Sequence, residues 1–228
     1  MCVDRPDSAA RFDDWVVARL LNPASAMFRE GSALLYEEPE LGEDDALRSR
    51  RPVCQVTGPL VRLQHLIVRP QQARLVGRRR AHVWAESQDT VASLIYGPHL
   101  EDLARNWCTE HADPETLGGI PSRCEPAVIA CREHTKSHQL DVVVSADPPG
   151  EKSRILAIGE VKATSWVVGL DQLERLRHIR SLLPATAVAR EPKLLPFSRQ
   201  GFTPELTTEA RSHPDVDLID FPRLYHGS

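Results

Sequence analysis

A mixed α/β layer fold is the class that the sequence predicts for most of its 228 residues. Apolar residues between 60 and 109 recur at helical spacing, and from about residue 126 the apolar period changes to two, as in strands. After residue 169, helical and strand-like segments alternate, which favours helices packed on a sheet. The apolar fraction of 41% and the charged fraction of 26% are those of a globular chain, so no disulfide or structural metal is needed for folding.

The N-terminal segment, residues 1–58, is predicted to be an irregular arm. A short helix is expected at 12–21, ending at Asn22 because the residue before a proline avoids helical geometry. Residues 37–45 are acidic and interrupted by proline and glycine, which indicates a linker. We therefore expect the folded domain to span residues 59–228.

Helices are predicted across the first part of that domain. Leu60–Ile67 carries an apolar stripe that Pro70 interrupts. A further helical stretch at 90–96 is expected to end at Gly97, with Pro98 as the first residue of the next helix. Glu101 then lies on that helix, at the edge of its apolar stripe.

Strands are predicted next, at 127–131, 140–145 and 154–163. The turns between them are expected at 135–138 and at 147–150, where Asp, Pro and Gly cluster.

The last part of the chain alternates between the two patterns. A helix is predicted at 169–183, a strand at 193–198, a helix at 204–212 and a final strand at 216–221. The result is a mixed central sheet flanked by helices.

Charge is distributed unevenly along the chain. The net charge of −4 argues against a dedicated nucleic-acid binder, yet residues 51–80 hold seven arginines and no acid. Such a band is suited to a phosphate backbone, although it would equally neutralise the acidic segment 1–50. The arginines expected to contact DNA are Arg69, Arg74, Arg78, Arg79 and Arg80.

Cellular location is inferred from two features. The apolar runs are strand-sized, so no membrane span is predicted, and the first ten residues do not resemble a signal peptide. Five irregularly spaced cysteines then indicate reduced thiols in a cytoplasm. A rival interpretation groups Cys108, Cys124 and Cys131 with nearby histidines as a zinc site, but the intervals match no zinc pattern.

Two carboxylates and a lysine form the strongest candidate for chemistry. Glu160 and Lys162 lie two apart on a predicted strand and therefore share a face, and Asp141 is expected beside them on the preceding strand. Carboxylate ligands with a neighbouring ammonium suit Mg²⁺ or Mn²⁺ and the attack on a phosphodiester. Glu101 would supply a third carboxylate as ligand or base, and Gln172 would order a water or a phosphate. The alternative is a solvated Glu–Lys charge pair with no chemistry.

Eight stretches of the chain, which contain these residues, resemble a known family. The Asp141…Glu160-Val161-Lys162 pattern resembles the PD-(D/E)xK nuclease superfamily. More closely, the chain is similar to the C-terminal domain of unknown function that ends many archaeal-type prokaryotic ATPases. The stretches that carry the likeness follow family order from residue 25 to the end, and include AMFREGSALLYEEP, PLVRLQHLIVRPQQARL, YGPHLEDLARNW, RILAIGEVKAT and VGLDQLERLRHIRSLL.

The resemblance implies a restriction-endonuclease-like core and metal-dependent DNA cleavage, or DNA binding by the same domain. Two parts of the family are missing: no phosphate loop is present, so neither ATPase activity nor a nucleotide cofactor is expected, and residues 41–57 are too short for a winged helix. Leu140 also replaces the superfamily's proline. The alternative function is a non-catalytic interaction or regulatory module that binds a partner protein.

Overall fold

The protein is described here by a computed structural model, which covers residue 14 and residues 35–38, 53–56, 58–131, 136–150 and 152–226. Its contacts divide the chain into two compact units. Residues 1–36 and 54–96 form the first, called the helical unit below. Residues 37–53 and 97–228 form the second, called the sheet unit. The predicted helix at 12–21 and the linker at 37–45 lie almost wholly outside the described residues.

Short helices make up the described part of the helical unit. They are α1 (Pro59–Leu63), α2 (Gln72–Val76), α3 (Arg80–Glu86) and α4 (Gln88–Val91), with π-helical turns at Gln64–Val68 and Ala92–Tyr96. Their buried side chains, which include Leu63, Ile67, Leu75 and Val91, form one apolar cluster. Two short strands, β1 (Leu35–Glu38) and β2 (Val53–Val56), pair with each other in the segment predicted to be irregular.

The sheet unit contains a five-stranded sheet with helices around it. Its elements in chain order are α5 (Gly97–Glu110), α6 (Pro114–Leu117), β3 (Arg123–Cys131), β4 (Lys136–Ala146), β5 (Arg154–Lys162), α7 (Leu170–Ser181), β6 (Val188–Ser198), α8 (Pro204–Ser212), β7 (Ile219–Asp220) and α9 (Phe221–His226). The strands lie in sequence order, with β3, β4 and β5 antiparallel and β5, β6 and β7 parallel. The predicted mixed sheet flanked by helices is therefore confirmed.

Helices α5 and α7 cover opposite faces of this sheet. Trp107 of α5 meets Phe197 of β6 edge-to-face, with ring centroids 6.1 Å apart. Leu194 of the same strand packs in the cluster that holds Leu173 and Leu176 of α7. Residues an odd number apart on a strand point to opposite faces, so the two helices form the outer layers.

The sequence misplaced several boundaries. The turn predicted at 135–138 is wrong for residues 136–138, which extend β4, and β6 begins five residues earlier than predicted. Phe221 begins a helix instead of ending a strand. The predicted break at Gly97 is also wrong, because a π-helical turn leads directly into α5. A π turn shifts the backbone hydrogen bonding and so lets the helix continue past Pro98, which has no N–H to donate.

Gly159 allows β5 to lie close to its neighbours. A Cβ atom there would come within 2.7 Å of the Leu195 carbonyl oxygen and 3.0 Å of the Phe197 ring. We predict that Gly159→Ala lowers the free energy of unfolding by about 1–3 kcal/mol, as overpacking of a core does. Urea denaturation measures this change. Gly119→Ala is the control, because its methyl would meet only movable Leu156 side-chain atoms, and an equal loss in both variants would contradict the prediction.

Candidate active site

The predicted Glu160 and Lys162 lie at the carboxyl end of β5. Beside them runs the parallel strand β6, where Glu160 pairs with Pro196 and Lys162 with Ser198. On the other side, the pairing between β4 and β5 ends at Val142 and Gly159, one residue before Glu160. In α/β sheets, ligands bind outside the carboxyl ends of strands, and this edge of the sheet therefore has the position of a site.

Glu160 is a buried carboxylate held by two cations. Its side chain is 9% exposed, and Lys162 Nζ lies 2.7 Å from Oε1. The guanidinium of Arg175, on α7, donates to Oε2 and also, at 3.1 Å, to the Gln139 carbonyl oxygen. Sequence reasoning missed Arg175. Burial of Glu160 explains the arrangement, since an ionised carboxylate out of water needs paired charges around it.

A β-bulge positions Asp141. Between the paired positions Glu125↔Val143 and Ala127↔Leu140, β3 contributes one residue, Pro126, and β4 contributes two. Proline has no N–H to donate to the ladder, so it is found at bulges and edges, and a bulge redirects a side chain. Here Asp141 Oδ2 accepts a 2.8 Å hydrogen bond from the Val161 N–H, directly between Glu160 and Lys162. The expected meeting of Asp141 with the Glu160–Lys162 segment is confirmed by this contact.

The electrostatics of Asp141 reflect the neighbouring carboxylate. Burial, followed by the negative charge of Glu160, raises the pKa of Asp141 to about 6. The Val161 hydrogen bond and the charges of Lys162 and Arg105 act in the opposite direction. Two carboxylates therefore repel each other in a partly desolvated space, and a cation between them would relieve that repulsion.

Arg105 connects Glu101 to this region. It donates to the Asp141 carbonyl oxygen at 3.0 Å and to Asp102 Oδ1 at 2.7 Å, and its guanidinium lies 4.0 Å from Glu101 Oε2. Glu101 is thus placed near the backbone of Asp141, beside a buried arginine. Its role as ligand or base stays a prediction.

Gln172 lies on the first turn of α7 as expected. Its amide nitrogen donates to Asp171 Oδ2 at 3.1 Å, and its Oε1 atom is buried with no hydrogen-bond partner among the described residues. Its predicted role in ordering a water or a phosphate stays a prediction.

The donors present suit a cation that accepts few protein ligands. Among the residues that the structure describes, no three His, Cys, Asp or Glu side chains lie close enough together to hold a metal ion. Asp141 and Glu160 offer a pair of carboxylates, and Mg²⁺ is commonly bound by one or two carboxylates plus waters and substrate phosphates. The repulsion that raises the pKa of Asp141 also fits a site for a dication.

The predicted DNA-contacting arginines belong to the helical unit. Arg74 pairs with Glu86 at 2.6 Å and donates to Gln71, which restricts its availability to a phosphate. Arg78 and Arg79 are exposed after α2, and Arg78 adopts a left-handed backbone with φ 61°. Arg80 then begins α3. Within the described part of the chain, the side chains of these last three form no ion pair.

The zinc interpretation finds no support among the described cysteines. Cys108 is fully buried on α5, and its hydrogen bond with Cys124, together with burial, raises the pKa of its thiol well above the usual range. A protonated, buried thiol is a poor metal ligand. The side chains of Cys131 and His134 lie outside the described residues.

Comparisons with known proteins give no match: no family model, curated protein or solved structure is similar to this chain. The described helices include none that combines the length and the apolar character required to cross a bilayer.

The pKa of Asp141 makes stability depend on pH. Because the folded-state pKa of about 6 exceeds the ordinary aspartate value of 3.8, Asp141 stabilises the fold fully below about pH 4, and this contribution is lost as the pH rises through 6. Asp141→Asn keeps an acceptor for Val161 but does not titrate. We predict that its unfolding free energy, relative to wild type, rises by up to about 3 kcal/mol between pH 4 and 7.

Urea unfolding at several pH values without divalent cations measures the difference. Asp89→Asn, which replaces an exposed carboxylate of the helical unit, controls for the loss of a negative charge. A difference between Asp141→Asn and wild type that stays constant across this pH range would contradict the prediction.

Proposed function

We propose that the protein hydrolyses DNA phosphodiester bonds with a divalent metal ion, at a PD-(D/E)xK-like site formed by Asp141, Glu160 and Lys162. The observation that carries the proposal is the convergence of two mutually repelling carboxylates and a lysine at the carboxyl end of β5. The mixed sheet with a helix on each face is compatible with the restriction-endonuclease-like core that the sequence resemblance implies. The similarity to the C-terminal domain of archaeal-type ATPases is part of this proposal.

Asp141 and Glu160 would hold Mg²⁺ or Mn²⁺, and Glu101, which is connected to Asp141 through Arg105, is proposed as the base. When bound, such an ion lowers the pKa of a coordinated water and offsets charge on phosphate oxygens. Asp141 must be ionised to act as a ligand. Its pKa of about 6 leaves most of the side chain charged at neutral pH and implies weaker activity below that value.

Lys162 has the position of an electrostatic catalyst. Its side chain is 31% exposed while its ammonium contacts the nearly buried Glu160, so the side chain is accessible from solvent. A fixed cation there stabilises negative charge that develops on a phosphate and orients an attacking water by hydrogen bonding. Arg105 supports the site by donating a hydrogen bond to the Asp141 carbonyl oxygen.

Substrate binding is assigned to the arginines of the helical unit. Arg69, Arg78 and Arg79 are exposed, and phosphate contacts of this kind position DNA without reading its bases. Binding would therefore tolerate different sequences and depend on salt.

A second function is favoured by one contact. In a non-catalytic interaction module, Glu160 and Lys162 would simply neutralise each other, and they do lie 2.7 Å apart. The two functions differ in metal affinity: the nuclease requires a Mg²⁺ site that Glu160→Gln weakens, whereas the module requires none. Titration calorimetry with MgCl₂ on both proteins distinguishes them.

Plasmid nicking tests the nuclease directly. We predict metal-dependent nicking that falls by at least about 100-fold in Asp141→Ala and in Lys162→Ala, because each removes a charge from the reacting region. Lys152→Ala, which changes an exposed lysine outside the site, should retain wild-type activity. Activity that survives both site substitutions would identify a contaminant or another site.

Salt dependence tests the arginines. With about four phosphate contacts, from Arg69, Arg78, Arg79 and Arg80, log affinity should fall with log salt at a slope near −4. Replacing Arg78, Arg79 and Arg80 together with Gln should flatten the slope by about two to three and weaken all DNA sequences similarly.

Fluorescence anisotropy with two unrelated duplexes measures the slope. A charge-matched control replaces Arg154, Arg190 and Arg211, which are exposed residues of the sheet unit. Undetectable binding at low salt, or a salt slope that the triple replacement leaves unchanged, would show that these arginines do not bind DNA.

A further inference from the structure

Arg175 contacts the Glu160 carboxylate, to which the proposed metal ion would also bind. Its guanidinium contacts Glu160 Oε2, while Lys162 contacts Oε1, so both oxygens of this nearly buried carboxylate are already engaged by cations. A divalent ion that binds Glu160 must therefore share or displace one of these two partners.

The two partners differ in what else holds them. Lys162 lies on β5 itself, two residues from Glu160, and among the described residues its ammonium makes no other hydrogen bond or ion pair. Arg175 comes from α7 and is also bound to the Gln139 carbonyl oxygen through its second nitrogen. It is 33% exposed, so its guanidinium has a route toward solvent while one hydrogen bond to β4 is kept.

We propose that Arg175 and the divalent cation are alternative partners of Glu160. Without the cation, Arg175 neutralises the buried carboxylate and keeps the site folded. When the cation binds, Arg175 releases Oε2 and keeps its hydrogen bond to the Gln139 carbonyl oxygen. This inference rests on the proposed function, and it assigns Arg175 as a positioning residue that sets the metal affinity of the site.

Arg177 provides a matched control on the same helix. It is equally exposed, at 32%, and pairs with Glu209 of α8 at 2.7 Å rather than with Glu160. Replacing it removes the same charge from α7 but leaves the partners of Glu160 in place. A general electrostatic effect of losing one arginine would appear in both variants, whereas exchange at Glu160 would appear only in the Arg175 variant.

The first experiment is titration calorimetry with MnCl₂ on the full chain. We expect Arg175→Gln to bind Mn²⁺ about 3- to 30-fold more tightly than wild type, since a charged hydrogen bond no longer competes. The Mn²⁺ affinity of Arg177→Gln should stay within about twofold of wild type. The affinity of Arg175→Lys should fall between those of wild type and Arg175→Gln, because a lysine retains the charge but cannot donate two parallel hydrogen bonds as a guanidinium does. Equal or weaker binding by Arg175→Gln, with unchanged folding by circular dichroism, would overturn the proposal.

A second measurement uses the unmodified protein, so it does not depend on the variants folding. Guanidinium NMR signals of Arg175 and Arg177, assigned by through-bond correlation to their own backbone amides, are followed as MgCl₂ is added. We expect the Arg175 signal to shift as its contact with Glu160 is lost, while the Arg177 signal stays unchanged. An Arg175 signal unaffected by saturating Mg²⁺ would overturn the exchange.

The outcomes separate this inference from the proposed function. If no protein binds Mn²⁺, both fail. If wild type and Arg175→Gln bind Mn²⁺ equally and Glu160→Gln weakens binding, the metal site stands and only the exchange fails. If Arg175→Gln binds Mn²⁺ while wild type does not, competition between Arg175 and the cation at Glu160 is supported, but the wild-type protein then lacks the metal site that the proposed function requires.

Discussion

The site is organised around a buried carboxylate, Glu160, at the end of β5, and burying a carboxylate is costly unless cations lie beside it. Two elements provide them: β5 supplies Lys162, and α7 supplies Arg175 across the face of the sheet. Removing one partner from a buried ion pair costs about 3–5 kcal/mol where both charges are fully desolvated. Here the two cations are each about one-third exposed, so the cost is smaller and leaves room for one of them to be exchanged.

A second constraint comes from Pro126, which has no N–H and lies opposite the bulge in β4. The bulge lets the Asp141 carboxylate reach the Val161 N–H, a backbone group that a regular ladder would have satisfied with a carbonyl. Asp141 is therefore held by a hydrogen bond from the backbone of the sheet itself. The same placement brings it close enough to Glu160 for the two charges to repel, and its pKa rises in consequence.

Much of this arrangement was predictable from the sequence, and the remainder depended on contacts that a sequence does not encode. The period-two segments gave three neighbouring strands, and the spacing of Glu160 and Lys162 placed both on one face. Arg175 was missed because α7 carries three arginines near its apolar stripe, each of which meets a different acid in the fold: Arg175 meets Glu160, Arg177 meets Glu209, and Arg180 meets Asp215. Their spacing along the helix does not decide which one faces β5. Pro126 was the overlooked signal for the bulge, since a proline within a period-two run indicates a break in the ladder.

The nuclease and the interaction module use the same ion pair, and they differ in what that pair does when a cation arrives. In a purely structural pair, Glu160 would gain nothing from a third partner, because Lys162 and Arg175 already compensate its charge. Asp141 favours a cation site over a purely structural ion pair, since its carboxylate is partly buried beside Glu160 and its main contact is a neutral backbone N–H. A purely structural ion pair does not require a second carboxylate whose ionisation destabilises the fold at neutral pH. Destabilisation of this kind is typical of functional sites, and a dication bound by both carboxylates would turn the repulsion between Asp141 and Glu160 into binding energy.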